Sequence, residues 1–319
     1  MITRENTARR QSGRKVGIVI AATLVLGMDL IPPVSAAPPG ILPFGVYDPG
    51  GDFSEDTEVA IEHLFLPWED VDLTSLVDAD AYAVARNRAL IITIEPWTWT
   101  RDERNTPEFL LNGIRDGYYD ANMRSICQVI DTLQSSVTIR WGHEMDELND
   151  QFIWSGWDPK DYIESFRRMV DICRDAAPRI TVMWSPLGDD RMADYYPEPD
   201  DVAYPGDGYV DLIGLSVFGL QAYDQIVNDG QDRSFTDILG PRYERAARFG
   251  KPVVVAELGY SGDAAYVAAW ESEVRKPRPE YPNLVGVAYF NQQEVYPWPN
   301  DLGFPDWRVN NRIIDPPTQ

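Results

Sequence analysis

Residues 252–257 read Pro252-Val253-Val254-Val255-Ala256-Glu257, an almost unbroken apolar run that ends on a carboxylate. A strand with one wet face alternates apolar and polar side chains. A strand covered on both faces, as in a parallel sheet, does not. Seven further runs of this kind are Phe44–Tyr47, Glu62–Leu66, Ala89–Ile94, Ser136–Trp141, Ile180–Trp184, Val210–Val217 and Leu284–Phe290. Helical periodicity lies between several of them. Tyr162, Phe166, Met169, Val170 and Cys173 share one face of a helix that Asp158-Pro159 would start, and Tyr118–Leu133 and Ala264–Val274 behave alike. Strands alternating with helices predict an α/β protein with a parallel sheet, and a count of eight predicts a closed (β/α)8 TIM barrel in a single domain. Two connections fit less well. Gly50–Ala60 is short for a crossover helix, and Trp184–Tyr209 is mostly loop, rich in Asp, Pro and Tyr. Long loops after barrel strands are where this fold builds its sites.

The N-terminus reads as an export signal. Arg4, Arg9, Arg10, Arg14 and Lys15 precede the short apolar stretch Val16–Met28, and Val34-Ser35-Ala36 supplies the small residues of a cleavage site. Residues 1–36 are therefore expected to be a signal peptide and 37–319 the barrel, a 283-residue periplasmic or secreted protein. A retained membrane anchor is the alternative, although the apolar stretch is short against the ~20 residues of a spanning helix. The formal charge of −23 becomes more negative still without the basic leader. Such a surface argues against nucleic acid or an anionic membrane as partner, and fits a neutral substrate. The chain is expected to be a monomer, not embedded in a membrane. Cys127 and Cys173, the two cysteines, fall on the apolar sides of their helices. Two buried thiols are the simpler expectation and an exported disulfide the alternative. With only His63 and His143 beside them, at no ligand spacing, neither a metal nor a cofactor is expected.

Barrel enzymes work at the C-terminal ends of their strands. Here those ends carry Pro67-Trp68, Glu95-Pro96-Trp97-Thr98-Trp99, Arg140-Trp141-Gly142-His143-Glu144, Trp184-Ser185-Pro186, Phe218-Gly219, Glu257-Leu258-Gly259 and Phe290-Asn291. A carboxylate at the end of an apolar strand pays for desolvation unless it is paired, so either Glu alone could be a structural ion-pair partner. Glu144 and Glu257 together, on strands four and seven of eight, can converge across the barrel mouth. Two carboxyls ~5–5.5 Å apart are what a retaining glycosidase needs. Trp68, Trp97, Trp99 and Trp154 fall at strand ends and are candidate platforms for sugar rings, whereas Trp184 and Trp270 read as core.

Arg140-Trp141-Gly142-His143-Glu144-Met145, followed by Trp154-Ser155-Gly156, resembles the acid/base segment of glycoside hydrolase family 26, a family of β-mannanases with some β-glucanases and β-1,3-xylanases. Gly45-Val46-Tyr47, Tyr195-Tyr196-Pro197, Tyr209-Val210-Asp211, Glu257-Leu258-Gly259, Phe290-Asn291 and Asp306-Trp307-Arg308 extend the likeness in the expected order. The resemblance implies an endo-acting retaining β-glycoside hydrolase with Glu144 as acid/base and Glu257 as nucleophile. It also implies that His143 contacts the nucleophile or the sugar 2-hydroxyl, and that Arg140 orients carboxylates. Three positions depart from the pattern. Asp146 stands where Asn is frequent, Phe218 where a Tyr commonly meets the nucleophile, and Ser216 where an Asp is found; these bear on sugar contacts, Phe218 among them.

The substrate is expected to be a polysaccharide or oligosaccharide: a β-1,4-mannan, a β-1,4- or β-1,3-1,4-glucan, or the producer's own exopolysaccharide. Glu95 and Asp146 are rival carboxylates, with Glu95 either lining a subsite or pairing with Arg140. A non-catalytic carbohydrate-binding barrel of polysaccharide export is the alternative function, and loss of either glutamate would be its mark. Neither is lost.

Overall fold

The computed structural model describes residues 35–98, 106–147, 151–188 and 203–314, all within one compact unit that spans Val34–Gln319. Residues 1–34 of the proposed leader, Trp99 and Tyr195-Tyr196-Pro197 lie outside the described residues. Eight parallel strands close into a barrel in sequence order, with β1 hydrogen-bonded to β8. They are β1 (Phe44–Tyr47), β2 (Val59–Glu69), β3 (Ala89–Thr98), β4 (Val137–Trp141), β5 (Thr181–Trp184), β6 (Leu212–Leu220), β7 (Val253–Ser261) and β8 (Leu284–Phe290). Around them run α1 (Thr74–Ala85), α2 (Pro107–Arg115), α3 (Asp120–Thr132), α4 (Pro159–Ala176), α5 (Gln221–Val227), α6 (Phe235–Ala247) and α7 (Ala264–Glu271). The expected TIM barrel is the observed one.

Helix α4 shows how the sequence specifies its ends. The Asp158 carboxylate accepts from the Lys160 amide, Pro159 occupies the first turn, and Tyr162, Phe166, Met169, Val170 and Cys173 are all buried. The sequence reading differs from the structure in two respects. Strands β2, β3, β6 and β7 run three or more residues beyond the expected ends, so Pro67-Trp68 and Glu95-Pro96-Trp97 belong to strands rather than to loops. No helix joins β1 to β2; turns cover that connection. Among the described residues no helix is long and apolar enough to cross a membrane.

Inside the barrel the two-residue strand period produces layers. Ile91, Met183, Val254 and Ala256 form an apolar plug, with Ile61 and Leu212 packed on it. Two residues further along their strands come His63, Thr93 and Ser185, all buried, joined by Arg140 from β4. By strict alternation Glu257 would point away from the barrel interior that Ala256 faces. It does not, because the register of β7 slips. Leu215 pairs with Val255 but Ser216 pairs with Glu257, and on the other side Val255 pairs with Val287 but Leu258 with Tyr289. This bulge lets Ala256 and Glu257 both face inward, the kind of re-aiming that bulges perform near active sites.

Cys127 of α3 and Cys173 of α4 form a disulfide, which corrects the expectation of two separate thiols. Each lies on the buried face of its helix, as read, but α3 and α4 pack side by side and bring the two Cα atoms to 5.2 Å, inside the bonding range. Facing helix stripes are a tertiary fact that periodicity within each helix does not contain. Closing a loop of 46 residues limits the unfolded chain by ~4 kcal/mol in the chain-entropy account. The Cys127→Ala/Cys173→Ala protein should therefore lose about 2–4 kcal/mol of stability. Thermal unfolding with and without reductant measures this, and equal Tm values in all samples would show that the bond contributes nothing.

Candidate active site

At the C-terminal mouth of the barrel a cleft of about 1060 Å³ is lined by Glu144 and Glu257 together with Tyr47, Glu95, Trp97, His143, Phe218 and the segment after β8. Its volume is at the upper end of the ~300–1,000 Å³ of ligand pockets, enough for an extended ligand.

Glu144 leaves β4 through a turn in which every strained element is pinned. Gly142 and Glu144 both have positive φ, 53° and 50°. Gly142 adopts this without cost; for a glutamate it costs on the order of 1 kcal/mol or more. The surroundings hold the turn in place. The Tyr162 hydroxyl donates to the Gly142 carbonyl at 3.0 Å, the Trp154 indole N–H to the His143 carbonyl at 2.6 Å, and the Glu144 amide to the Ser185 carbonyl at 2.7 Å. The Glu144 carboxyl then accepts a short hydrogen bond from the Ser216 hydroxyl on β6. Burial pushes its proton affinity well above that of an ordinary glutamate; the charge of Glu257 adds to the rise, and Arg140 and Ser216 oppose it.

Glu257 has the opposite environment. Arg140, fully buried, donates Nη1–H to its Oε1 at 2.6 Å, and His143 Nε2 stands 3.8 Å from the same oxygen. Burial and the neighbouring Arg140 charge keep His143 neutral, so the arginine is the cation that balances Glu257. The arginine is held in turn by a relay. Its Nη1 donates to Thr93 Oγ1 at 3.3 Å, and Thr93 Oγ1 lies 2.7 Å from His63 Nε2. Burial with the charge of Arg140 keeps His63 neutral as well.

The expected site residues sort as follows. Glu144, Glu257, His143, Trp97 and Phe218 line the cleft, and Arg140 lies beneath it. Trp154 is not a sugar platform. It is fully buried, stacked on Phe152 at 4.8 Å, and its role is the hydrogen bond to His143. Trp68 is likewise buried, stacked on Tyr119 at 4.3 Å, and Trp184 and Trp270 are core as expected. Both rival carboxylates are placed. Asp146 accepts from the Leu187 and Gly188 amides at 2.6 and 2.9 Å and so fastens the end of β5. Glu95 lines the cleft and receives the Trp97 indole N–H at 3.3 Å, while Arg140 pairs with Glu257 instead.

The sequence reading missed His63, Thr93, Glu294, Tyr223 and Trp298. His63 and Thr93 carried a usable signal, since each is polar at an inward position of an otherwise apolar strand. Tyr223, in helix α5 after β6, and Trp298 and Glu294, in the segment after β8, reach the cleft in a way only the fold determines. Glu294 is held by the Trp307 indole N–H at 2.9 Å, and burial beside Glu257 raises its pKa to about 7.

No protein-family model matches the chain. Endoglucanase H of Acetivibrio thermocellus is 26% identical over 79% of this chain, and a β-1,3-xylanase of an Alcaligenes species is 29% identical over 35% of it. The chain spans about a quarter of the length of these curated relatives, 26% and 22%. Among solved structures, a modular endo-β-1,4-mannanase of glycoside hydrolase family 26 from Cellulomonas fimi superposes with a TM-score of 0.58 at 17% identity, covering 81% of this chain and 60% of that one. A family 26 β-mannanase from Bacteroides ovatus gives 0.54 at 16% identity, covering 79% and 80%. In sequence motifs and in its closed eight-stranded barrel, the chain resembles glycoside hydrolase family 26.

Proposed function

We propose that this protein is an exported, endo-acting β-glycanase that retains anomeric configuration, with Glu257 as nucleophile and Glu144 as acid/base. The observation that carries this reading is the contrast between two carboxyls on one cleft. Glu257 is paired with a buried arginine, whereas burial raises the proton affinity of Glu144 well above that of an ordinary glutamate. In the first step Glu257 attacks the anomeric carbon as Glu144 gives its proton to the departing glycosidic oxygen. Glu257 then becomes a neutral ester, the charge that had raised Glu144 is gone, and Glu144 takes a proton from the water that cleaves the ester. The cleft's volume of about 1060 Å³ has room for more than one sugar ring, which supports endo action on a polysaccharide. The relatives' names divide between glucan, xylan and mannan, so the glycan is to be found with a panel of purified β-mannans, β-glucans and β-xylans. The Cys127–Cys173 bond and the basic, apolar leader both support export to an oxidising compartment.

Glu257→Ala should lower turnover of all substrates by roughly 10³-fold or more. Azide should restore activity on an activated aryl glycoside and give a product of inverted configuration; near-normal turnover without azide would remove Glu257 from the role. Glu144→Ala should harm substrates with poor leaving groups far more than activated aryl glycosides. With the latter a burst should precede a slow steady rate, and equal losses on both with no burst would count against Glu144.

The raised proton affinity of Glu144 also has a sign in stability. A carboxyl that binds its proton more tightly when folded costs nothing below the ordinary glutamate pKa. As pH rises from there towards the folded pKa, stability is lost. Glu144→Gln should therefore raise Tm at pH 7.5, and the gain should vanish near pH 4. A gain of the same size at both pH values would refute the assignment. For the sugar contacts, Trp97→Ala should weaken oligosaccharide binding by on the order of 1–3 kcal/mol with the fold intact. Trp154→Ala should instead destabilise the protein, a contrast read by calorimetry and by kcat/KM.

A further inference from the structure

Glu294 is not used by the mechanism above, yet it is a carboxyl placed on the cleft wall beside the nucleophile. The segment that carries it leaves β8 and folds back on itself through antiparallel bridges between Gln293 and Asp306 and between Trp298 and Gly303. The Glu294 amide donates to the Pro305 carbonyl at 2.8 Å, and Trp307, which has no exposed surface, donates its indole N–H to Glu294 Oε1 at 2.9 Å. Trp307 also packs on Phe218 at 5.1 Å and on Trp298 at 5.4 Å. Gly259 of β7 allows this approach, because a Cβ there would meet Phe218 and Trp307 at 2.7–2.8 Å. The carboxyl is thus fixed in direction, in an aromatic wall, on a backbone that is itself bonded.

Its position in the barrel says which part of a ligand it meets. Strand β8 is the neighbour of β7, so Glu294 stands on the Glu257 side of the cleft, within range of that carboxylate's charge, whereas Glu144 comes from β4 across the mouth. The sugar attacked by Glu257 must lie on that side, and the departing sugar on the side of Glu144. Receiving one indole N–H does not require a carboxylate, since a neutral amide oxygen would do as well. With one oxygen anchored on Trp307, the carboxyl still has lone pairs for other donors, and pyranose hydroxyls are the donors a β-glycan presents there.

We propose that Glu294 is a specificity-determining residue whose carboxyl hydrogen-bonds hydroxyl groups of the sugar that Glu257 attacks. The proposal rests on the glycanase reading above. It is tested with wild type, Glu294→Gln and Glu294→Ala on 2,4-dinitrophenyl β-cellobioside, β-mannobioside and β-xylobioside, and on singly deoxygenated forms of whichever is turned over best. Glu294→Gln keeps the shape and an acceptor for Trp307, so it reports the carboxyl rather than folding. Both variants should lose about 10–100-fold in kcat/KM on the best substrate, as expected for a lost bond between a hydroxyl and a charged group. The loss should shrink to within about threefold on the analogue that lacks the hydroxyl being read, since a group cannot lose a contact twice. A uniform loss across all substrates, or unchanged kinetics in both variants, would make Glu294 only a support for Trp307 and overturn the proposal. Wild type inactive on every glycoside would overturn the glycanase reading and this one with it. Active wild type with unaltered variant selectivity overturns this one alone.

Discussion

The structure of the cleft depends on one buried ion pair, Arg140 with Glu257. A guanidinium with no exposed surface is expensive to remove from water, and the pair repays that cost only with good geometry and further hydrogen bonds. The chain supplies these from strands far apart in sequence. Thr93 from β3 holds the arginine, and His63 from β2 holds the threonine. Each partner stands at an inward strand position immediately above an apolar plug, so the barrel closes below the site with ordinary hydrophobic packing and spends its polar groups at the mouth. Breaking any one of these contacts leaves a charge or a donor stranded.

The same arrangement separates the properties of the two glutamates. One positive charge serves Glu257 by direct contact, and Glu144 is left with a hydroxyl and a protein interior. Ser216 joins the two halves. Its backbone is the register partner of Glu257, and its side chain bonds Glu144. Backbone strain at Glu144 is held by three hydrogen bonds from Tyr162, Trp154 and to Ser185, so an aromatic residue expected to touch sugar holds the Glu144 turn from beneath instead. Trp154 cannot be both: with no exposed surface it has no face to offer a ligand.

The barrel itself was legible in the chain. Eight runs, most of them near-continuously apolar, leave few options for strands other than burial on both faces, and the helical stripes between them supply the cover. The strand ends at Glu144 and Glu257 could also be read, because a carboxylate after such a run needs a special reason. The Cys127–Cys173 pairing and the cleft residues Tyr223, Glu294 and Trp298 could not, since each depends on which elements become neighbours rather than on local pattern.

The sequence by itself thus determined the fold class, the strand order and the two carboxylates that end strands four and seven, because two-residue and 3.6-residue periods and desolvation costs act within each segment. Only the tertiary structure decided where those carboxylates point and what surrounds them. By alternation alone Glu257 would turn away from the interior that Ala256 faces; the slip of β7 against β6 and β8 turns it in towards Arg140. Register between strands is set by contacts across the whole barrel, and no single strand carries that information.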